Sequence, residues 1–134
     1  MNRRSFLLTT TAALIATPAV ADVNYTPGLV NQLLADGKTV FIDFTTTWCT
    51  TCAAQKRNIT ALRGQNPAYD QNITFVTVDF DEYRNDPLTT ALNIPRRSTL
   101  VVLKGNQELG RIVAGTAKSQ IQGLMDTALN AALA

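Results

Sequence analysis

The stretch VFIDFTTTWCTTC, residues 40–52, decides the fold of this chain. It opens as a β-branched and aromatic run, which is typical of a strand buried on both faces. It closes with Cys49 and Cys52, and the chain has only 2 cysteines in all. The sequence therefore predicts a strand that runs directly into a pair of thiols.

The two thiols stand where a helix is predicted to begin, since residues 53–64 read as a helix that stops at Gly64. A free thiol has a pKa of about 8.5, and the unpaired N–H groups of a helix N-terminus lower that pKa. Cys52 would lie about one turn further along, beneath Cys49. This spacing predicts a pair in which the Cys49 thiolate attacks a partner's disulfide and Cys52 then resolves the mixed disulfide.

Asp43 interrupts the apolar strand six residues before Cys49. A buried carboxylate is costly without a partner or a function, and burial would raise its pKa. Asp43 would then be a proton acceptor for Cys52. The other interpretation, a polar residue that faces solvent from an edge strand, remains open from the sequence.

The rest of the chain predicts alternating helices and strands. The strand at 39–45 and a strand at 73–80 are joined by the helix after the cysteines, so they should be parallel. A strand at 99–104 and a following strand should form a hairpin. The predicted helices are 28–36 before Gly37, 86–94 with Asp86 as N-cap, and 119–133 with Ser119 as cap. The expected fold class is α/β, with a central mixed sheet of about four strands and helices on both faces.

Composition excludes several functions. Of 12 basic residues, Arg3 and Arg4 lie in a segment expected to be removed, which leaves ten basic residues against 10 acidic ones. This balance argues against nucleic-acid binding through a basic surface. With 2 cysteines and 0 histidines the chain cannot complete a zinc site alone, and Cys–His and Ser–His catalysis are excluded. We expect neither a metal nor a cofactor.

Residues 1–21 are predicted to be a signal peptide. Two arginines precede a modestly apolar stretch, and Ala19-Val20-Ala21 supplies a small-x-small cleavage pattern. The apolar stretch is too short for a membrane anchor, which needs about 20 residues. Cleavage after Ala21 would leave one domain at 22–134 in the periplasm or another exported location, where disulfides persist. Paired arginines fit both the twin-arginine and the general secretory route.

The segment VFIDFTTTWCTTCAAQKRN resembles the active-site segment of the thioredoxin superfamily. The resemblance covers Asp43, Trp48, Cys49 and Cys52, and STLVVLKGNQELGRIVAGT resembles the family's hairpin. It implies a thioredoxin fold, a redox-active Cys49–Cys52 disulfide and catalytic roles for both cysteines and Asp43. The nearest resemblance is to exported thioredoxin-like proteins, such as the periplasmic domain of the disulfide reductase DsbD.

The loop before the third strand departs from the family pattern. The family places a cis-proline before this strand, facing the two sulfurs, whereas this chain has Ser98 there and Pro95 three residues too early. A cis bond before a non-proline residue costs about 3–4 kcal/mol, so the Arg97–Ser98 bond is either held cis or is trans in a differently shaped loop. The resemblance implies that Trp48, Arg97, Ser98 and Thr99 contact the substrate.

Three functional hypotheses follow. The first is a thiol–disulfide oxidoreductase that reduces disulfides of partner proteins and exchanges electrons with a membrane redox protein. An oxidant or isomerase is a rival of the same class, and the absence of a histidine between the cysteines mildly disfavours a strong oxidant. A different class is a module whose cysteines hold Cu(I), and a third is a scaffold with a structural disulfide.

Overall fold

The computed structural model describes residues 22–134 as a five-stranded mixed sheet covered by helices. The predicted signal peptide lies outside the described residues. The elements, in chain order, are β1 (Val23–Asn24), α1 (Leu29–Ala35), β2 (Thr39–Thr45), α2 (Thr50–Gln65), α3 (Ala68–Asn72), β3 (Ile73–Asp79), α4 (Phe80–Tyr83), α5 (Pro87–Ala91), β4 (Thr99–Lys104), β5 (Gln107–Val113) and α6 (Lys118–Leu133).

The strand order is β1-β3-β2-β4-β5, so β2 lies in the centre of the sheet. It pairs in parallel with β3 and antiparallel with β4, and β4 forms an antiparallel hairpin with β5. The predicted parallel pair, the hairpin and the mixed α/β sheet are confirmed. The expected strand number of about four is one too low, because β1 has only two residues and makes a short parallel pairing with β3.

The alternation of side chains along β2 assigns its residues to two cores. Val40, Ile42 and Phe44 face the core that includes Val30 of α1, whereas Phe41 faces the core beneath α2 and α6. Asp43 therefore projects to the same side of the sheet as helix α2. Its strand is central and its side chain is 5% exposed, so the edge-strand interpretation of Asp43 is wrong.

Several boundaries differ from the sequence-based expectations. Helix α6 begins at Lys118 with Ala117 as N-cap and no side-chain cap, so the predicted Ser119 cap is wrong. The strand predicted at 73–80 ends at Asp79, because the Asp79 side chain accepts from the Asp81 backbone N–H and starts α4. Asp86 caps α5 as expected, accepting from the Leu88 N–H. None of the helices in 22–134 has the length and apolar character needed to cross a membrane.

Candidate active site

The two cysteines lie at the junction where β2 ends and α2 begins. Cys49 is the N-cap of α2, and its sulfur accepts a hydrogen bond from the Cys52 backbone N–H at 3.2 Å. A sulfur in this position satisfies one of the unpaired donors of the first helical turn, and those donors favour its negative charge. Both cysteines carry free thiols and are buried, at 6% and 2% exposure respectively.

The environment of Cys49 favours its thiolate form. Burial raises the pKa of the thiol, but hydrogen bonds from the Cys52 side chain, the Ser98 hydroxyl, the Cys52 backbone and the Arg97 side chain together lower it to about 6. At pH 7 about nine-tenths of such a thiol is ionised. Cys49 therefore has the electrostatics of an attacking nucleophile.

The loop before β4 is built differently from the family pattern. The peptide bonds of residues 22–134 are all trans, so of the two alternatives left open by the sequence the Arg97–Ser98 bond is trans, in a differently shaped loop. Ser98 instead takes φ of 63°, a left-handed conformation that is uncommon for a non-glycine residue. Its N–H donates to the Phe44 carbonyl at 2.8 Å, a bond that a proline could not make.

The side chain of Ser98 lies between the two sulfurs. Its hydroxyl oxygen is 3.2 Å from the Cys49 sulfur and 3.0 Å from the Cys52 sulfur. The same oxygen is therefore within hydrogen-bonding distance of both sulfurs. The sequence identified Ser98 as a departure from the family, but gave no sign that its hydroxyl would contact both cysteines.

Asp43 lies in the core on the α2 side of β2, and burial raises its pKa from 3.8 to about 7. Lys56 opposes this rise, whereas Asp22 and Cys49 add to it. Asp43 and Lys56 both line a cavity of about 10 Å³, which is about the size of one water molecule. A carboxylate with such a pKa can accept and release a proton near neutrality, as the predicted role requires.

Trp48 lies at the exposed edge of the site, and the half-buried Arg97 packs over it. The indole of Trp48 is 60% exposed and donates to Asp81 at 2.7 Å, while the Arg97 guanidinium lies 4.3 Å from the centre of its ring. Thr99, in contrast, is fully buried and donates to the Arg96 carbonyl at 2.8 Å. Trp48 thus presents an exposed surface to a partner, with the half-buried Arg97 over its ring, whereas the Thr99 side chain holds the loop.

Gln55 and Lys56 are site residues that sequence reasoning missed. Gln55 is fully buried and donates to the carbonyls of Ser98 and Gly115, at 2.9 and 3.0 Å. A signal for it exists, because Cys52, Gln55 and Ile59 follow the helical spacing of a buried stripe, in which a polar residue needs a partner. Lys56 lines both the small cavity beside Asp43 and the larger one beside the sulfurs.

The larger cavity, of about 540 Å³, gives access to the thiols. Cys49 and Cys52 form part of its wall, and most of the other lining residues carry a polar group: Asn24, Tyr25, Thr45, Thr46, Thr47, Ala53, Lys56, Thr77, Asp79, Glu82 and Tyr83. Within residues 22–134 no cluster of three or more Cys, Asp or Glu side chains is arranged to hold a metal ion. The reactive groups that line or border the site are a thiolate, a second thiol, a hydroxyl and a buried carboxyl.

A central strand that delivers a Cys-x-x-Cys pair to a helix N-terminus, on a five-stranded mixed sheet, defines the thioredoxin fold. The family model described as "Thioredoxin" matches residues 20–127, and this chain belongs to the thioredoxin family. It is similar to thioredoxin H5 of Oryza sativa subsp. japonica, with 30% identity over 96 residues, covering 72% of this chain and 67% of the relative.

Solved structures give the same fold. Trxlp from Edwardsiella tarda is 27% identical, with a TM-score of 0.66, over 77% of this chain and 98% of the other. The Malassezia sympodialis thioredoxin Mala s 13 is 25% identical, also with a TM-score of 0.66, over 81% of this chain and 95% of the other. The resemblance to the family inferred from the active-site segment is confirmed, and so is the fold class.

Proposed function

We propose that this protein is an exported thiol–disulfide oxidoreductase that reduces disulfides of partner proteins. The observation that carries the proposal is the Cys49 sulfur at the N-terminus of α2, where local hydrogen bonds bring its pKa to about 6. The neighbouring Cys52 thiol is placed to resolve the mixed disulfide, and membership of the thioredoxin family agrees with this chemistry. Partners would be proteins that carry disulfides.

The acidity of the Cys49 thiol supports the view that the protein reduces its partners rather than oxidises them. Attacking cysteines have a pKa of about 7 in thioredoxin and about 3.5 in the strong oxidant DsbA, whose reduced form is unusually stable. A pKa of about 6 is nearer the thioredoxin value. We therefore expect a reduction potential closer to about −270 mV than to about −120 mV.

Export rests on residues 1–21, whose arginines, apolar stretch and Ala-x-Ala pattern are those of a signal peptide. The same inference places the protein among exported thioredoxin-like proteins that receive electrons from a membrane redox protein, as the periplasmic domain of DsbD does. The mass of the secreted protein tests the cleavage, and a chain that still carries residues 1–21 after export would contradict it.

The activity is tested by insulin reduction with dithiothreitol. We expect the parent protein to accelerate insulin precipitation well above dithiothreitol alone, and the matched double variant Cys49→Ser/Cys52→Ser to give no acceleration. Equilibration of the parent with glutathione then measures the potential of the pair. Equal rates for parent and double variant would refute the enzyme, and a potential near −120 mV would refute the reducing direction.

The rival classes predict different results in the same preparation. A structural disulfide would leave Cys49 and Cys52 oxidised and inert towards insulin. A Cu(I) module would hold stoichiometric copper after anaerobic purification, using the two soft thiolate ligands. A structural disulfide does not require Cys49 and Cys52 to line an open cavity, as they do here.

A further inference from the structure

Ser98 lies in the loop before β4 and is held in place by several backbone hydrogen bonds. It is fully buried, its N–H donates to Phe44 O at 2.8 Å, and its carbonyl accepts from Ala114 N and from Gln55 Nε2, both at 2.9 Å. These backbone bonds keep a serine at φ of 63°, where glycine is the favoured residue. A non-glycine residue in this conformation raises the question of what its side chain does.

The hydroxyl of Ser98 can bond both sulfurs but can donate to only one of them. A serine hydroxyl has one proton and two lone pairs. With the Cys49 sulfur at 3.2 Å and the Cys52 sulfur at 3.0 Å, it can accept from the S–H of one cysteine while it donates to the thiolate of the other. Since hydrogen bonds lower the pKa of Cys49, the Ser98 O–H donates to the Cys49 thiolate in the resting arrangement, while the single Cys52 S–H proton is shared between the Cys49 sulfur and Ser98 Oγ.

We propose that the Ser98 hydroxyl is a catalytic group that donates a hydrogen bond first to the Cys49 thiolate and then, in the mixed disulfide, to the Cys52 thiolate. This rests on the proposed function, since it assigns a further catalytic residue to the same reaction. The hydroxyl needs only to rotate about its Cβ–Oγ bond between the two states. The fixed backbone of the loop keeps the oxygen between the sulfurs throughout.

The first half of the reaction uses the first arrangement. The Cys49 thiolate attacks a substrate disulfide, the Cys49–substrate sulfur bond forms, and the substrate's own S–S bond breaks. The leaving thiolate departs with the electron pair and takes a proton from water. The Cys49 sulfur is then uncharged and is a poor hydrogen-bond acceptor. The Ser98 O–H therefore becomes available to donate to another acceptor.

The second half uses the other arrangement. Cys52 gives its proton to the Asp43 carboxylate or to water, and Ser98 donates to the resulting thiolate. Cys52 attacks the Cys49 sulfur, the Cys49–Cys52 bond forms, and the second substrate thiolate leaves and is protonated. In total the dithiol is oxidised by two electrons and the substrate disulfide becomes two thiols.

The alternative is that Ser98 is only a small residue that the loop tolerates. Ser98→Gly separates the two explanations, because glycine suits a φ of 63° and keeps the backbone bonds, but removes the hydroxyl. Ser98→Ala removes the same hydroxyl with a different backbone preference. Ser119→Ala, at an exposed serine in α6, is the matched control.

The experiment measures the pH midpoint of Cys49 ionisation, the rate of mixed-disulfide release and the urea midpoint for each variant. Both Ser98 variants lose a hydrogen bond to a charged sulfur, which should raise the pH midpoint of Cys49 ionisation by about one unit. The same loss should slow release of the mixed disulfide about tenfold. The Ser98→Gly protein should unfold at the same or a higher urea concentration than the parent. Ser119→Ala should match the parent in all three measurements.

Three results would overturn the proposal. In the first, the Ser98→Gly protein matches the parent in both the pH midpoint of Cys49 ionisation and the rate of mixed-disulfide release. In the second, Ser98→Ala differs from the parent but Ser98→Gly does not. In the third, the pH midpoint shifts in both variants while the rate of mixed-disulfide release is unchanged. Insulin reduction by the parent is measured alongside. An inactive parent would defeat the proposed function, whereas an active parent with an identical Ser98→Gly variant would defeat the role of Ser98 alone.

Discussion

The Cys52→Ser protein is expected to stop after its first chemical step, as a covalent complex with its substrate. Cys49 keeps its position at the N-terminus of α2 and can still attack, but no thiolate remains to release the mixed disulfide. The rate of insulin reduction should fall on the order of a hundredfold or more. Non-reducing electrophoresis and mass spectrometry should show one substrate chain attached at Cys49.

The Cys49→Ser protein should lose activity to the same extent without forming the complex. Its remaining thiol, Cys52, is 2% exposed and lies behind the missing nucleophile. Thr60→Ser, an exposed position on the same helix, is the matched control and should keep the parent rate. A stable adduct on Cys49→Ser, or a Cys52→Ser protein that turns over like the parent, would reverse or remove the assigned roles.

The Asp43→Asn protein is expected to be more stable than the parent at pH 8 and equally stable at pH 4. Burial raises the Asp43 pKa from 3.8 to about 7, so between these values the folded chain binds more protons at this site than the unfolded chain does. Stability therefore falls as the pH rises through this window. This rise in the Asp43 pKa corresponds to a loss of about 4 kcal/mol in the free energy of unfolding above pH 7.

Urea unfolding at pH 4, 6 and 8 measures this cost. Asparagine has nearly the same shape but carries no charge, so the variant should gain about 2–4 kcal/mol over the parent at pH 8, less any unmet hydrogen bonds of the buried amide. Asp36→Asn, at an exposed aspartate, is the control and should show little difference at any pH. A gain that is the same at pH 4 and pH 8 would contradict ionisation of a buried Asp43.

The active-site segment could be predicted from the sequence because each of its features has a local cause. The apolar run of β2 fixes a buried strand, and the Cys-x-x-Cys spacing fits the first turn of α2. The hairpin of β4 and β5 follows from two short strands around a glycine-containing turn. These elements need no knowledge of distant contacts.

The contacts around Ser98 could not be predicted in the same way. They join residues far apart in the sequence, such as Gln55 with Gly115 and Phe44 with Ser98. The left-handed backbone of Ser98 has no signature in the sequence, because it depends on the hydrogen bonds of the surrounding loops. The two-residue β1 was missed for a related reason, since only its pairing with β3 makes it a strand.

The proposed function requires Cys49 to be the ionised nucleophile of a pair of neighbouring thiols. The most direct test is the pH dependence of iodoacetamide alkylation of the reduced protein, with mass spectrometry to assign the modified cysteine. We expect Cys49 to react first, with a midpoint near pH 6, since its hydrogen bonds lower its pKa to about 6. A midpoint above about pH 8, as for an ordinary thiol, or faster alkylation of Cys52 would contradict the account.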